Sequence, residues 1–111
     1  MSGCLFCDIL SGDKRSGIVY EDEHIAAFED INPQAPVHVL VLPKRHYTGL
    51  NDAPAETSGR CIEAARRIAS EKGIDNSGYR VVANCGSDGG QTVGHLHFHL
   101  LGGRRMKWPP G

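Results

Sequence analysis

Three short hydrophobic runs in the first half of the chain predict strands. They cover residues 18–20, 25–28 and 37–42. An acidic turn at residues 21–23 and a proline-containing loop at residues 32–36 separate them, as is typical of strand connections. The third run is almost continuously hydrophobic, so we expect its strand to be buried on both faces.

One long helix is predicted at residues 55–72, where apolar residues recur at helical spacing. Asn51 or Asp52 is suited to cap its start, and Gly73 suits its end. The predicted apolar face of this helix consists of Ser58, Ile62, Ala65 and Ala69.

A short helix and two more strands complete the pattern. Apolar spacing predicts the helix at residues 5–11, ended by Gly12, and further strands at residues 79–84 and 95–101. Short connections between the first three strands favour antiparallel pairing. The predicted class is α+β: a five-stranded, mainly antiparallel sheet with one long and one short helix, the long helix on one face.

The composition fits one globular domain over residues 1–111, with 40% hydrophobic and 23% charged residues. The net charge of −1 does not favour a nucleic-acid or membrane partner held by bulk charge. A small anionic ligand in one positive pocket remains compatible with it. The first residues lack the basic start and apolar stretch of a secretory signal, so we expect a cytoplasmic protein with reduced thiols.

Three histidines alternate with apolar residues near the end of the chain. On a strand, His95, His97 and His99 would project from one face, roughly 7 Å apart, and His38 offers a fourth imidazole if its strand pairs nearby. The pattern fits a solvated polar face, a metal site, or nucleophilic and acid–base chemistry at a phosphate. We favour the phosphate chemistry, because three histidines are improbable by chance on an exposed face.

A glycine-rich segment, residues 84–94, leads directly into these histidines. Glycine-rich turns can aim consecutive backbone N–H groups at an anion, and Asn84 and Thr92 add an amide and a hydroxyl. The alternative is a hairpin loop that needs glycine only for its turns. Beside the histidines we favour phosphate binding.

Cys4 and Cys7 have the C-x-x-C spacing found in zinc sites. His46 and His95 would complete a four-coordinate site. The same spacing also fits two unpaired thiols or a redox-active pair, so the spacing alone leaves these alternatives open.

Over nearly its whole length the sequence resembles the histidine triad (HIT) superfamily. The motif at residues 95–101 carries the resemblance, and residues 28–38 look like the family's N-terminal half-motif. Residues 86–93 and 101–111, which end in Trp-Pro-Pro-Gly, look like the histidine triad nucleotide-binding (Hint) branch. The resemblance implies a HIT-like fold and a homodimer whose two sheets join. It also implies a purine nucleoside phosphoramidase that hydrolyses the P–N bond of nucleoside 5′-phosphoramidates of the AMP-NH2 or AMP-lysine type.

The resemblance also implies roles for individual residues. His97 would be the nucleophile that forms a nucleotidyl-histidine intermediate, and the carbonyl of His95 would fix its tautomer. His99 and His38 would act beside it at the phosphate, and Asp30 would hold the ribose hydroxyls. The groups around the phosphate and the leaving amine would be Asn84, Gly90, Gln91 and Thr92. The nucleoside pocket would be lined by Phe6, Ile9, Phe28 and Ile31.

Some members of the family bind structural zinc through residues that match Cys4, Cys7, His46 and His95. We therefore expect structural zinc in this chain and no metal at phosphorus.

Three departures from the Hint pattern bear on base preference and on the leaving group. They are Lys14-Arg15 for an Ile-Pro pair, Thr92 for a common Ser, and Lys107 for a His found in some relatives.

The resemblance places the C-terminal tail, residues 104–111, at the rim of the active site, with Trp108 near the pocket of the partner subunit. The alternative is a disordered tail. For the whole protein, the alternatives are a nucleotide-binding regulatory module, a metal-dependent hydrolase that uses the triad as ligands, and a hydrolase of dinucleoside polyphosphates or acyl-adenylates.

Overall fold

The computed structural model describes residues 4–12 and 17–111. Their helices and strands are α1 (Leu5–Ser11), β1 (Ile18–Glu21), β2 (Ile25–Glu29), β3 (Val37–Pro43), α2 (Ala55–Glu71), β4 (Tyr79–Val82) and β5 (Phe98–Gly102). The strands form one antiparallel sheet in the order β1-β2-β3-β5-β4, which confirms the predicted α+β class. No helix in the described ranges combines the length and apolar character needed to span a membrane.

The central strand, β3, is buried on both faces, as its continuous hydrophobicity predicted. Val39 and Val41 pack in the core beneath α2. Leu40 and Leu42 point to the opposite face and pack with residues of α1. The sheet therefore separates two cores, and the smaller one, beside α1, forms the floor of the site described below.

The buried face of α2 differs from the predicted one. Ala65 and Ala69 are buried, but Ile62 is 50% exposed and Ser58 is only partly buried. The buried stripe consists of Cys61, Ala64, Ala65, Ile68 and Ala69. Most of these side chains are small and let the helix lie close to the sheet, so the larger Ile62 was a poor guide to the buried side.

The predicted side-chain cap of α2 by Asn51 or Asp52 is wrong. Pro54 occupies the N-cap position and no side chain caps the helix. The Asp52 carboxylate instead accepts the backbone N–H groups of Thr48 (3.0 Å) and Gly49 (2.9 Å). These bonds stabilise the turn that precedes the helix rather than the helix itself.

The last strand begins later than predicted, at Phe98 rather than at residue 95. His95 and His97 therefore precede β5 and are not part of the ladder. Between them, the N–H of Leu96 donates to the carbonyl of Tyr47 (2.7 Å). The segment before β5 thus hydrogen-bonds to the loop after β3 rather than to a neighbouring strand.

Candidate active site and metal centre

A cleft of about 430 Å³ opens between α1 and the sheet, a volume suited to a small-molecule ligand. Most of the residues predicted to bind a nucleotide line it: Phe6, Ile9, Phe28, Asp30, Ile31, Thr92, His97 and His99. Phe6 and Phe28 pack edge to face on its apolar wall, with ring centroids 5.5 Å apart. Ile31 lies at the rim and is fully exposed.

Sequence reasoning missed several residues that line the cleft: Leu5, Gly17, Glu29, Leu40 and Val93. Leu40 lies opposite His99 in the β3–β5 register, two positions from His38. The two-residue period of a strand would have placed Leu40 beside the histidines. Val93 follows Thr92 directly and carried no comparable signal.

The His97 ring is buried in the cleft wall with one nitrogen committed. Its Nδ1–H donates to the carbonyl of His95 at 2.7 Å, so in the neutral ring Nε2 carries a lone pair and no proton. The edge of Phe6 packs against the ring at a centroid distance of 4.9 Å, and the ring of His99 lies 5.1 Å away. His97 therefore lines the cleft with its ring orientation and tautomer fixed.

A hydrogen-bond chain also fixes the proton positions of His38 and His99. The backbone N–H of Gln34 donates to Nδ1 of His38 (3.0 Å), so the proton of the neutral His38 ring is on Nε2. That N–H donates to Nδ1 of His99 at 2.9 Å. Nε2 of His99 is then the protonated nitrogen, and it is a hydrogen-bond donor in the same cleft as His97.

Burial keeps both supporting histidines neutral near pH 7. Desolvation lowers the pKa of His38, and the nearby Asp30 carboxylate only partly opposes it. Desolvation also lowers the pKa of His99 to about 4, with further lowering by His97 and His38 and opposition from Asp30. His99 thus acts as a neutral hydrogen-bond donor at physiological pH.

Asp30 connects the cleft to the loop after β2. Its Oδ1 accepts the N–H of Asn32 at 2.8 Å, and its Oδ2 lies 3.4 Å from Nε2 of His38. The remaining acceptor capacity of this carboxylate is available to hydroxyl groups of a ligand in the cleft. It can therefore both orient His38 and bind a ligand.

In the glycine-rich loop, residues 84–94, polar side chains hydrogen-bond to the backbone of the loop itself. Nδ2 of Asn84 donates to the carbonyl of Gly89 (2.6 Å), and Oε1 of Gln91 accepts the N–H of Gly86 (3.1 Å). Of the four residues predicted around the phosphate, only Thr92 lines the cleft; Asn84, Gly90 and Gln91 do not. Gln91 also donates to the carbonyl of Thr48 at 2.6 Å, so its amide holds the loop against the rest of the chain.

Cys4, Cys7, His46 and His95 form a compact group, as their predicted role requires. Their ligand atoms all lie within 4.8 Å of one another. Sγ of Cys4 is 3.4 Å from Nδ1 of His95, and Sγ of Cys7 is 3.3 Å from Nδ1 of His46. Nε2–H of His95 donates to the carbonyl of Pro43 (2.8 Å), which leaves Nδ1 free to bind a metal.

The chemistry of this group fits zinc. Two sulfur and two imidazole donors are a set that tetrahedral Zn²⁺ prefers. Burial, together with Cys4, raises the pKa of the Cys7 thiol. A bound cation would offset the free-energy cost of ionising the buried Cys7 thiol and stabilise its thiolate form.

The structure places the three alternating histidines in two different locations. His95 is fully buried and faces the cysteines, whereas His97 and His99 line the cleft. His38, His99 and Asp30 also bring ligand atoms within 4.8 Å of one another, but the facing atoms of His38 and His99 are joined by a hydrogen bond. This arrangement does not support the use of the whole triad as metal ligands.

The C-terminal segment contacts the edge strand β4. Nη2 of Arg80 donates to the carbonyl of Lys107 (2.8 Å), and Trp108 is 81% exposed. The Lys14-Arg15 pair, which replaces the Ile-Pro pair of the Hint pattern, lies outside the described residues.

Comparison with known proteins identifies the family. The sequence profile described as HIT domain matches residues 11–106. The chain belongs to the HIT domain family. The "14 kDa zinc-binding protein" of Zea mays is 47% identical over 115 residues, which cover 99% of this chain and 89% of that protein.

The solved structures that are similar to this one include three from the HIT family. A HIT family hydrolase from Legionella pneumophila is 47% identical, with a TM-score of 0.92, and the match covers 97% of this chain and 99% of that one. A Zn-bound histidine triad family protein from Mycobacterium smegmatis is 36% identical, with a TM-score of 0.82 and coverage of 98% and 80%. A histidine triad nucleotide-binding protein from Candida albicans is 30% identical, with a TM-score of 0.83 and coverage of 96% and 82%.

Proposed function

We propose that this HIT protein is a purine nucleoside phosphoramidase of the Hint branch. It would hydrolyse the P–N bond of nucleoside 5′-phosphoramidates through a nucleotidyl-His97 intermediate. The observation that carries the proposal is the His97 ring, held by the bond from its Nδ1–H to the His95 carbonyl inside a ligand-sized cleft. The similarity to a protein described as a HIT family hydrolase and to one described as nucleotide-binding supports it.

Substrate binding uses the two kinds of surface in the cleft. The purine would lie against the apolar wall that contains Phe6, Ile9 and Phe28, where burial of aromatic surface is favourable. The Asp30 carboxylate would accept hydrogen bonds from the ribose hydroxyls. The phosphorus atom would then lie near His97 and His99.

Attack by Nε2 of His97 forms a bond to phosphorus as the P–N bond breaks. The resulting imidazolium is stabilised by the hydrogen bond from Nδ1–H to the carbonyl of His95. The leaving amine takes up a proton from solvent as it departs, and the water that later attacks phosphorus returns one proton to solvent. The neutral His99, through Nε2–H, and the hydroxyl of Thr92 can donate hydrogen bonds in the cleft. Water then cleaves the P–His97 bond and releases the nucleoside monophosphate.

Zinc bound by Cys4, Cys7, His46 and His95 would cross-link α1 to the segment before β5 without entering the reaction. Support comes from the donor set and from the Zn-bound relative. His97 and His99, not these ligands, line the cleft. A metal bound there would therefore have a structural role.

We further propose that the protein is a cytoplasmic homodimer in which the sheets of two copies join. The tail would bring Trp108 to the partner's cleft. The large exposed surface of Trp108 supports this placement, because an exposed tryptophan often contributes to an interface.

A kinetic panel tests the assigned reaction. Purified protein is offered adenosine and guanosine 5′-phosphoramidates, a dinucleoside polyphosphate and an acyl-adenylate, and kcat/KM is measured for each. We expect the phosphoramidates to be the best substrates. A clear preference for either of the other two classes would assign the site to another hydrolase activity, and nucleotide binding without turnover would indicate a binding module.

A further inference from the structure

Helix α1 belongs to both the metal centre and the cleft. Cys4 is its N-cap and Cys7 lies in its first turns; both face the two metal-binding histidines. Phe6, between them in sequence, is 4% exposed and lines the cleft with Leu5. A helix of seven residues has little stability of its own, so these tertiary contacts must hold it in place.

A second connection passes through His95. Its ring closes the metal centre through Nδ1, while its backbone carbonyl accepts the Nδ1–H of His97. The Phe6 ring packs edge-on against both imidazoles, with centroids 5.9 Å from His95 and 4.9 Å from His97. Any movement of α1 away from the metal ligands would therefore also shift the wall of the cleft and the surroundings of the nucleophile.

The sulfur and imidazole groups of this centre make weak contacts with one another. The closest approaches between sulfur and imidazole nitrogen are 3.3–3.6 Å, and sulfur is a weak hydrogen-bonding partner. Coordination would replace these contacts with bonds and restrict α1 to the position that completes the cleft.

We infer that metal binding by the Cys4–Cys7–His46–His95 centre and ligand binding in the cleft are coupled through α1, with Phe6 as the coupling residue. The inference rests on the proposed function for the kind of ligand, a purine nucleoside 5′-phosphate. Each ligand then strengthens the binding of the other by the same factor, because coupling between two binding equilibria is reciprocal.

The coupling is measured with Zn²⁺ and AMP as probes. Calorimetry gives the Kd of AMP for zinc-loaded and metal-free reduced protein, and competition with a chromophoric chelator gives the Kd of zinc with and without saturating AMP. We expect zinc to tighten AMP binding at least about fivefold, and AMP to tighten zinc binding by the same factor.

Two variants separate the proposed path from a general effect on folding. Phe6→Ala keeps all four metal ligands and should reduce the coupling factor towards one. The matched control is Val93→Ala, which alters the same cleft from a loop outside α1. It should weaken AMP binding equally in both metal states and leave the factor unchanged. Circular dichroism establishes whether each metal-free form is folded.

The outcomes distinguish this inference from the proposed function. An AMP Kd that is the same with and without zinc would overturn the coupling, while the binding itself would still support a nucleotide site. If Phe6→Ala keeps the full coupling factor, the assigned path through Phe6 is wrong. A metal that acts only by folding the protein would also give this result. Failure of AMP to bind either form would overturn both proposals.

Discussion

At the scale of the residue, backbone groups determine which histidine nitrogen carries the proton. The carbonyl of His95 leaves Nε2 of His97 unprotonated, whereas the N–H of Gln34 places the proton of His38 on Nε2. The two imidazoles that line the cleft, those of His97 and His99, therefore differ in hydrogen-bonding character. His97 offers a lone pair, and His99, which accepts from His38, offers an N–H.

The lowered pKa of His99 predicts a dependence of stability on pH. Its pKa is about 4 in the folded protein against a usual 6.5, so between these pH values the unfolded chain binds more protons. Stability present above about pH 6.5 is therefore lost as the pH falls towards 4. The ceiling is about 1.4 kcal/mol per pH unit, and partial exposure of the ring reduces it.

Replacement of His99 by glutamine tests this prediction. His99→Gln should show a shallower loss of unfolding free energy between about pH 6.5 and pH 4 than the wild type, measured by urea denaturation. The groups that face His99, namely His97, His38 and Asp30, remain in the variant. His24→Gln, at an exposed histidine, is the control and should follow the wild-type curve. Parallel curves for His99→Gln and the wild type would contradict the assignment.

The residues of the site were predictable to different degrees. The alternation of His95, His97 and His99 indicated functional chemistry, and the C-x-x-C spacing indicated a metal site. Alternation alone did not separate His95 from the other two. The C-x-x-C spacing and the family resemblance did, because they placed His95 with Cys4, Cys7 and His46, and the structure brings Cys4 to 3.4 Å from His95 although the two are 91 residues apart.

At the scale of the element, α2 packs on the sheet through a stripe of small side chains and one large residue, Ile68. Ile68→Ala should lower the free energy of unfolding by about 2–5 kcal/mol, because it leaves a cavity in the larger core. Ile62→Ala makes the same chemical change on the same helix, but Ile62 is 50% exposed. Its effect should stay within about 0.5 kcal/mol.

Urea denaturation of both variants checks which face of α2 is buried against the sheet. Equal losses, or a larger loss for Ile62→Ala, would show that the buried side of α2 is assigned incorrectly. The sequence predicted the position of this helix well because its periodicity is local. Its rotation was harder to predict, since it depends on how closely alanines can approach the sheet.

The loop before β5 shows a similar limit. Its glycines and polar side chains indicated a phosphate-binding turn. Asn84 and Gln91 instead form hydrogen bonds within the loop and to Thr48. Amide side chains satisfy backbone groups as readily as ligands, so residue type alone did not distinguish the two uses.

At the scale of the whole molecule, the cleft and the metal centre lie on the same antiparallel sheet. The C-terminal tail lies elsewhere, against the edge strand β4. Removal of residues 106–111 should change the ratio of kcat/KM between substrates with different amine leaving groups by about tenfold, equivalent to about 1.4 kcal/mol. The AMP Kd should change much less, because no residue of this tail lines the cleft of its own chain.

Arg80→Ala is the matched control for the truncation. It removes the hydrogen bond to Lys107 but keeps the tail, and its effect on leaving-group preference should be smaller. Sedimentation analysis of each form tests the proposed homodimer. An unchanged substrate ranking after truncation would rule out a role for the tail in leaving-group selection.

The most direct test of the proposed catalytic mechanism is identification of the residue that becomes covalently attached to the nucleotide. Wild-type protein is mixed with adenosine 5′-phosphoramidate, quenched within milliseconds, and analysed by peptide fragmentation mass spectrometry. We predict an adenylyl group on His97, and neither adduct nor turnover in a folded His97→Asn variant. An adduct on another residue, or wild-type turnover by His97→Asn, would contradict the assignment of His97 as the nucleophile.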